Sequence, residues 1–211
     1  MNTLDLIFYT NPQSRSRIVR WMLEELQVPY QVELLEYGTS MKSKSYLAVN
    51  PMGKVPAISH RGKIVTECAA ICAYLADAFP EQALAPDLKD RAQYYRWMFF
   101  AAGPLESAVT NEALRFQVPS RLERMAGYGN FEHTVETLAH AVSRSNYVAG
   151  DRFSAADVYV GSHVGWGLEF GTLPKRTEFV LYFNRLKDRP AYKRANDLDD
   201  ELTKQLGSGN V

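Results

Sequence analysis

The stretch NPMGKVPAISHRGKIVT, residues 50–66, gives the first indication of the fold. Two short apolar runs, 55–59 and 63–66, flank a His-Arg-Gly turn, which is the pattern of a β-hairpin. Pro56 stands at the head of the first run, one of the few places where a sheet tolerates proline, and it restricts Val55 to an extended conformation. With a cis bond before Pro56, the Val55 amide and carbonyl would point outward and could pair with another extended peptide. With a trans bond, the segment is an ordinary loop entering a strand.

The residues on either side of this hairpin complete an α/β pattern. An apolar run at 4–9 predicts a buried strand, and apolar residues at helical spacing predict an amphipathic helix over 14–27. A second strand is expected at 30–37, the polar stretch 38–50 is expected to be a loop, and a helix at 67–79 follows the hairpin. A βαβ unit followed by a hairpin and a covering helix predicts one mixed sheet.

Strand signals end near residue 89, and helical periodicity replaces them. The predicted helices are 91–116 with a bend at Gly103-Pro104, 131–145, 154–167, 178–188 and a further short segment that opens at Pro190. We therefore expect an α/β domain at 1–80, a linker at 81–88 and an all-helical domain at 89–211.

One motif in the helical half is interpreted as structural. Ser154 and Asp157 fit the S-x-x-D pattern of a capping box, in which the two residues satisfy each other's backbone amides. The pattern predicts the start of a helix and says nothing about chemistry.

Composition excludes several functional classes. The chain has 211 residues, and its 24 basic and 24 acidic residues give a formal net charge of zero, which disfavours a nucleic-acid partner or a membrane surface. We recognise no membrane-spanning run and no secretory leader. Cys68 and Cys72 are too few for a metal centre, and the four histidines are scattered, so we expect no metal. A reducing, cytoplasmic setting is the simplest expectation.

Two segments could carry chemistry. The stretch YTNPQSRSR (9–17) joins the first strand to the first helix, at the sheet edge where ligands of α/β proteins bind. There the hydroxyls of Tyr9, Ser14 or Ser16 could donate to an anion such as a thiolate, and the alternative for Ser14 is a helix N-cap. The tripeptide Thr66-Glu67-Cys68 begins the next helix. Its amides could hold a carboxylate and Glu67 an ammonium, as in an α-amino acid; the alternative is that Thr66 simply caps the helix.

Taken together, five stretches in order resemble the cytosolic glutathione transferase family, and its bacterial Ser-type members in particular. They are SRSRIVRWMLEELQVPYQ (14–31), NPMGKVPAI (50–58), TECAAICAYLADAFP (66–80), FSAADVYVG (153–161) and RLKDRPAYKRA (185–195). The likeness spans roughly residues 4–195. It implies an α/β thioredoxin-like N-terminal domain and an all-α C-terminal domain that contributes a hydrophobic acceptor site.

The resemblance also implies roles in binding glutathione. The Val55–Pro56 bond would be cis, and Val55 would pair with the cysteinyl backbone of glutathione. Glu67 and Cys68 would hold the γ-glutamyl end, with Cys68 standing where the family usually has Ser or Thr. The glycyl carboxylate would face two basic residues, Lys54 and Lys42.

The resemblance leaves the catalytic hydroxyl open between three residues. Tyr-type members would use Tyr9, and Ser-type members a serine near the start of the first helix, Ser14 or Ser16. Because the SRSR segment is closer to the bacterial Ser-type pattern, Ser14 is our choice.

The activity implied is that of a glutathione S-transferase with a role in detoxification: glutathione is the co-substrate, and its thiolate attacks a hydrophobic electrophile. The alternatives are a glutathione-dependent isomerase or peroxidase on the same fold, or a non-catalytic binding protein. The resemblance also implies a homodimer.

Overall fold

The structure of the protein, a computed structural model, describes residues 5–208. Within them the chain forms two compact units. The first is built from the chain up to Gln82 and from Arg189 onward, and the second is Ala83–Asp188. No helix in the part of the chain that is described is long and apolar enough to cross a membrane.

The first unit contains a four-stranded mixed sheet. Up to Gln82 its strands and helices are β1 (Leu6–Thr10), α1 (Ser16–Leu26), β2 (Gln31–Leu34), α2 (Lys44–Val49), β3 (Ala57–His60), β4 (Lys63–Thr66) and α3 (Cys68–Ala78). The strand order is β2-β1-β3-β4, with β1 and β2 parallel and the other neighbours antiparallel. The predicted mixed sheet is therefore confirmed.

The hairpin predicted from the opening stretch is also confirmed. His60 pairs with Lys63, so only Arg61 and Gly62 form the turn, and both have positive φ values, 52° and 73°. Two consecutive positive φ values match the right-handed twist of the flanking strands. The polar stretch 38–50 differs from its prediction as a loop, because it contains the six-residue helix α2.

The second unit is helical, as predicted. Its helices are α4 (Ala92–Phe100), α5 (Glu106–Ala113), α6 (Phe131–Ser143), α7 (Ala155–Phe170) and α8 (Thr177–Lys187). A π-helical turn at Ala101–Leu105 separates α4 from α5 and contains Pro104. A proline removes one backbone hydrogen bond, so the α-helix predicted over 91–116 is interrupted at Gly103-Pro104, where the bend was predicted.

The capping box at the start of α7 is confirmed and is part of a larger buried network. The Asp157 carboxylate accepts from the Ser154 amide (3.0 Å), the Val148 amide (2.8 Å) and the Tyr182 hydroxyl (2.8 Å). Burial raises the pKa of Asp157 to about 6, although these hydrogen bonds act in the opposite direction. The motif therefore fixes the core of the second unit, as its structural interpretation requires.

The final helix, α9 (Pro190–Ser208), differs from expectation in length and in place. It has 19 residues where a short segment is predicted. The sequence-based division assigned it to the helical domain at 89–211, whereas the structure groups it with the first unit. The reason is its packing along α1, where the rings of Trp21 and Tyr192 meet edge to face at 4.9 Å.

Candidate active site

The strand register brings the predicted site segments to one edge of the sheet. Tyr9 near the end of β1 lies opposite Ala57 at the start of β3, and Ala57 lies opposite Thr66 at the end of β4. The loop after β1, the residues before β3 and the start of α3 therefore emerge side by side. A direct contact agrees with this, because the Cys68 thiol lies 3.5 Å from the Arg15 carbonyl.

The peptide bond between Val55 and Pro56 is cis, as the resemblance implied. The preceding carbonyl, that of Lys54, is held by two donors, the Tyr46 hydroxyl at 2.6 Å and the Asn50 side-chain amide at 2.7 Å. Among the hydrogen bonds of residues 5–208, none uses the amide or the carbonyl of Val55. Val55 therefore presents a fixed, extended segment with one donor and one acceptor to spare.

The turn before Val55 requires a glycine. The Gly53 amide donates to the Asn50 carbonyl at 2.8 Å, and Gly53 has a φ of +57°. A Cβ atom at this position would lie 2.8 Å from the Met41 carbonyl oxygen. Both the backbone conformation and the space exclude a side chain here.

The two basic residues named above, Lys42 and Lys54, stand beside this turn and differ in their partners. The Lys42 ammonium donates to the carbonyls of Gly53 (2.9 Å) and Met52 (3.3 Å), so it holds the turn closed. An ammonium has three N–H donors, and one remains for an incoming carboxylate. Lys54 is exposed to solvent.

Glu67 has an unusual backbone conformation at the start of α3. Its φ and ψ are 68° and 119°, a region that side chains other than glycine rarely adopt and that costs about 1–3 kcal/mol. The Glu67 side chain is exposed and forms no capping hydrogen bond, and Thr66 belongs to β4. The first amides of a helix have no intrahelical acceptor, and the positive end of the helix attracts a carboxylate. Cys68 is buried directly behind it.

The loop between β1 and α1 holds Ser14 in one position. The Ser14 hydroxyl lies 2.7 Å from the Asn11 carbonyl and 2.8 Å from the Ser16 hydroxyl, and it accepts from the Ser16 amide at 3.0 Å. The N-cap of α1 is Arg15, with no side-chain cap, so this last bond is a turn within the loop and Ser14 is not the helix N-cap that the alternative required. Ser14 is half-buried, whereas Ser16 is fully buried. A hydroxyl has one proton, which can serve one acceptor at a time.

Tyr9 lies in a different environment. Its half-buried ring packs against Leu35, Met41 and Tyr46, with the Tyr46 ring centroid at 5.5 Å, and Val55 packs on the same cluster. Burial, with a further contribution from Glu33, raises the pKa of Tyr9 above its usual value. The phenol is therefore a neutral donor at physiological pH and not a base.

Sequence reasoning missed two asparagines that organise the site. The side-chain oxygens of Asn11 and Asn50 accept from amides two residues ahead, those of Gln13 (2.9 Å) and Met52 (3.1 Å). Their side-chain amides donate to the carbonyls of Leu35 (2.8 Å) and Lys54 (2.7 Å). Both residues precede a proline, and the repeated Asn-Pro dipeptide, a turn-initiating pair, was the available signal.

Comparisons with known proteins agree with this geometry. The family described as "Glutathione S-transferase, N-terminal domain" matches residues 14–78. Glutathione S-transferase A of Pleuronectes platessa is 28% identical over 184 residues, covering 82% of this chain and 82% of the relative. A glutathione S-transferase of Escherichia coli O157:H7 is 29% identical over 161 residues, covering 71% of this chain and 76% of its own.

Solved structures of similar proteins cover nearly the whole chain. A glutathione transferase of Methylococcus capsulatus superposes with a TM-score of 0.76 at 26% identity, over 92% of this chain and 98% of its own. A glutathione transferase homologue of Sulfitobacter, solved with bound glutathione, gives a TM-score of 0.73 at 25% identity over the same shares. The predicted fold class, a thioredoxin-like domain with a helical domain, is confirmed.

Proposed function

Because the chain belongs to the glutathione S-transferase family, we propose that it is a glutathione transferase that activates the glutathione thiol for attack on a hydrophobic electrophile. The observation that carries this proposal is Val55. Its unused backbone amide and carbonyl lie at the sheet edge where the starts of α1 and α3 also emerge. An extended tripeptide can add to such an edge by main-chain hydrogen bonds.

The charges around Val55 match the two ends of glutathione. The cysteinyl backbone pairs with Val55, and the γ-glutamyl end lies against the start of α3. There the exposed Glu67 carboxylate faces its ammonium, and the N-terminal turn of α3, which begins at Cys68, faces its carboxylate. The thiol of Cys68 already contacts the Arg15 carbonyl, so its backbone serves here. The glycyl carboxylate faces Lys54 and the third donor of Lys42.

Ser14 is the group that we assign to the glutathione sulfur. Its hydroxyl is half-exposed in the loop that leads into α1, whereas Ser16 is fully buried and supports Ser14 by donating its amide. Tyr9 is the other reachable hydroxyl, but its ring is packed among apolar side chains. When the thiolate binds, the Ser14 proton turns from the Asn11 carbonyl to the sulfur, and the positive end of α1 adds to the stabilisation.

The reaction is a balanced displacement. The thiol proton passes to solvent, and the thiolate forms a carbon–sulfur bond while the bond from that carbon to its leaving group breaks and the leaving group takes the electron pair. A free thiol with a pKa near 8.5 is only a few per cent ionised at neutral pH. Lowering that pKa by about two units takes roughly 2.7 kcal/mol of preferential anion binding. A charge-assisted hydrogen bond of about 1.5–3 kcal/mol from Ser14, with the helix dipole, suffices.

Two measurements on the purified chain test the proposal. Calorimetry gives the affinity for glutathione, and a generic aryl halide with glutathione gives the rate of thioether formation. We expect binding at or below millimolar concentration together with turnover. Binding without turnover on any electrophile would point to a non-catalytic binding protein, and no heat of binding at millimolar glutathione would remove the basis of the proposal.

We also propose a homodimer. Two aromatic residues one turn apart on α4, Tyr95 and Phe99, are 41% and 71% exposed. Exposed aromatic side chains at i, i+4 are typical of a surface that another protein covers. Sedimentation velocity tests this: Phe99→Asp should shift a dimeric species to the monomer, and an unchanged distribution would contradict the role of this face.

A cytoplasmic location remains part of the proposal. Cys68 and Cys72 are both buried free thiols, and burial raises the pKa of Cys72 well above its usual value. Buried, protonated thiols resist oxidation, and unpaired cysteines are the rule in reducing compartments.

A further inference from the structure

The contact between α1 and α9 is held by ion pairs along its whole length. On α1 the basic residues come first and the acidic residues follow, and on the C-terminal segment the order is the same in an antiparallel arrangement. The four pairs are Arg17–Asp200 (2.6 Å), Arg20–Asp199 (3.1 Å), Glu24–Arg194 (3.2 Å) and Glu25–Arg189 (2.6 Å). Each of these charges on α1 therefore faces an opposite charge on the C-terminal segment.

Arg17 differs from the other three arginines of these ion pairs because it also binds the loop that holds Ser14. Its Nε donates to the Pro12 carbonyl at 2.7 Å. One terminal nitrogen donates to the Asp200 carboxylate at 2.6 Å, and the other lies 3.5 Å from the Asn196 side-chain oxygen. Arg20 donates to Asp199 and Tyr30, Arg189 to Glu25, and Arg194 to Glu24.

Pro12 makes this contact informative. A proline has no N–H, so its carbonyl is the only backbone group by which Pro12 itself can be held. Asn11 fixes the start of the loop through the Leu35 carbonyl, and the Ser16 amide fixes its end at the Ser14 hydroxyl. Arg17 holds the loop at Pro12, and its guanidinium is itself held by Asp200 of α9.

We propose that Arg17 is a positioning residue through which α9 sets the orientation of the Ser14 hydroxyl. The planar guanidinium donates in two directions at once, to the loop and to the far helix, which the single ammonium of lysine cannot do with the same geometry. The inference rests on the proposed function, because the Ser14 hydroxyl is the group whose orientation is set. The effect passes through the loop and does not require Arg17 to touch glutathione.

The decisive variant is Arg17→Lys, which keeps the positive charge and removes the planar guanidinium that donates in two directions. Its matched control is Arg189→Lys at the opposite end of α1, where the arginine binds Glu25 through two nitrogens at 2.6 and 2.7 Å. Arg189→Lys loses a bidentate contact to Glu25, and Arg17→Lys loses the geometry that joins Asp200 to the Pro12 carbonyl, so each variant weakens the same helix pair. Only Arg17→Lys releases the loop.

Three readouts separate positioning from stability. The pKa of the bound glutathione thiol, obtained from a pH titration of the thiolate absorbance in the ultraviolet, should rise by about 0.5–1 unit in Arg17→Lys. Below the pKa, this corresponds to a loss of about three- to tenfold in thiolate. The Arg189→Lys titration should match that of the unsubstituted chain. Both variants should lower the unfolding temperature by similar amounts, and glutathione affinity should change by less than about threefold in either.

Equal thiolate titrations in the two lysine variants would overturn the inference. If Arg17→Lys does not fold, Asp200→Asn on the exposed end of the pair takes its place, with the same expectation at smaller size. Amide hydrogen exchange at Ser16 gives a readout that needs no bound glutathione. Faster exchange in Arg17→Lys than in Arg189→Lys supports the attachment even if the chain proves to have no thiol activation, so failure of the proposed function is distinguishable from failure of this inference.

Discussion

Replacing Ser14 by alanine removes the hydroxyl proposed to face the glutathione sulfur and tests the proposed catalytic assignment. In the structure this oxygen has the Asn11 carbonyl and the Ser16 hydroxyl within 2.8 Å and accepts from the Ser16 amide at 3.0 Å. A hydrogen bond to a charged acceptor contributes about 1.5–3 kcal/mol, so its loss should raise the pKa of the bound thiol by about one to two units.

The expected loss of activity depends on pH in a defined direction. Because the variant raises the pKa of the bound thiol toward that of free glutathione, kcat/KM with an aryl halide should fall about 10- to 100-fold near pH 6.5. The deficit should shrink as the pH rises above 9, where the thiol ionises without assistance. The free energy of unfolding should fall separately by about 1 kcal/mol, because the Ser16 amide loses its acceptor.

Two further variants make the test specific. Ser14→Thr keeps a hydroxyl and should retain most of the activity, whereas Tyr9→Phe removes the competing phenol and should have a small effect. Unchanged kcat/KM at pH 6.5 in Ser14→Ala, together with loss of turnover in Tyr9→Phe, would refute the assignment of Ser14.

Three other predictions address the scaffold, two of them beside the site and one in the core of the second unit. Asn50→Ala should weaken glutathione binding about tenfold in calorimetry, because the Lys54 carbonyl and the turn before Val55 each lose a hydrogen-bond partner; unchanged affinity would show that Tyr46 alone holds this carbonyl. Gly53→Ala should lower the free energy of unfolding in urea by more than about 1 kcal/mol, because the new Cβ meets the Met41 carbonyl at positive φ. Burial raises the pKa of Asp157 from 3.8 to about 6 in the folded state. The contribution of this residue to stability is therefore lost as the pH rises through 6. The destabilisation caused by Asp157→Ala should therefore be larger at pH 4 than at pH 7 by about 2–3 kcal/mol, and a pH-independent difference would contradict the raised pKa.

Local signals predicted the parts of the fold that depend on short-range chemistry. The hairpin at β3 and β4 depends on its two-residue turn, and the capping box on two residues three apart, and both were found. The helix α2 was missed because only Tyr46 of its six residues is buried, so the sequence contains no periodic apolar stripe. Its start is fixed by the Ser43 hydroxyl, which accepts from the Tyr46 amide at 3.2 Å.

Long-range partners explain what the sequence did not reveal about α9 and about the site. The predominantly polar sequence of α9 predicts a short helix, and the partners that hold it are charges on α1 more than 160 positions away along the chain. Asn11 could be recognised as a turn residue, but the acceptor for its side-chain amide lies 24 positions further on. The site residues named from the resemblance were brought to one edge by strand register, which no single segment encodes.

The contribution of residues from Arg189 onward to the first unit has a consequence for biosynthesis. A ribosome that has completed the sheet and α1 has not yet made the helix that covers Trp21. The unit that contains the sheet must therefore wait, with Trp21 uncovered, until the second unit has been translated. Its completion therefore depends on the translation of α9, and a message cut short before residue 190 would yield a sheet without its covering helix.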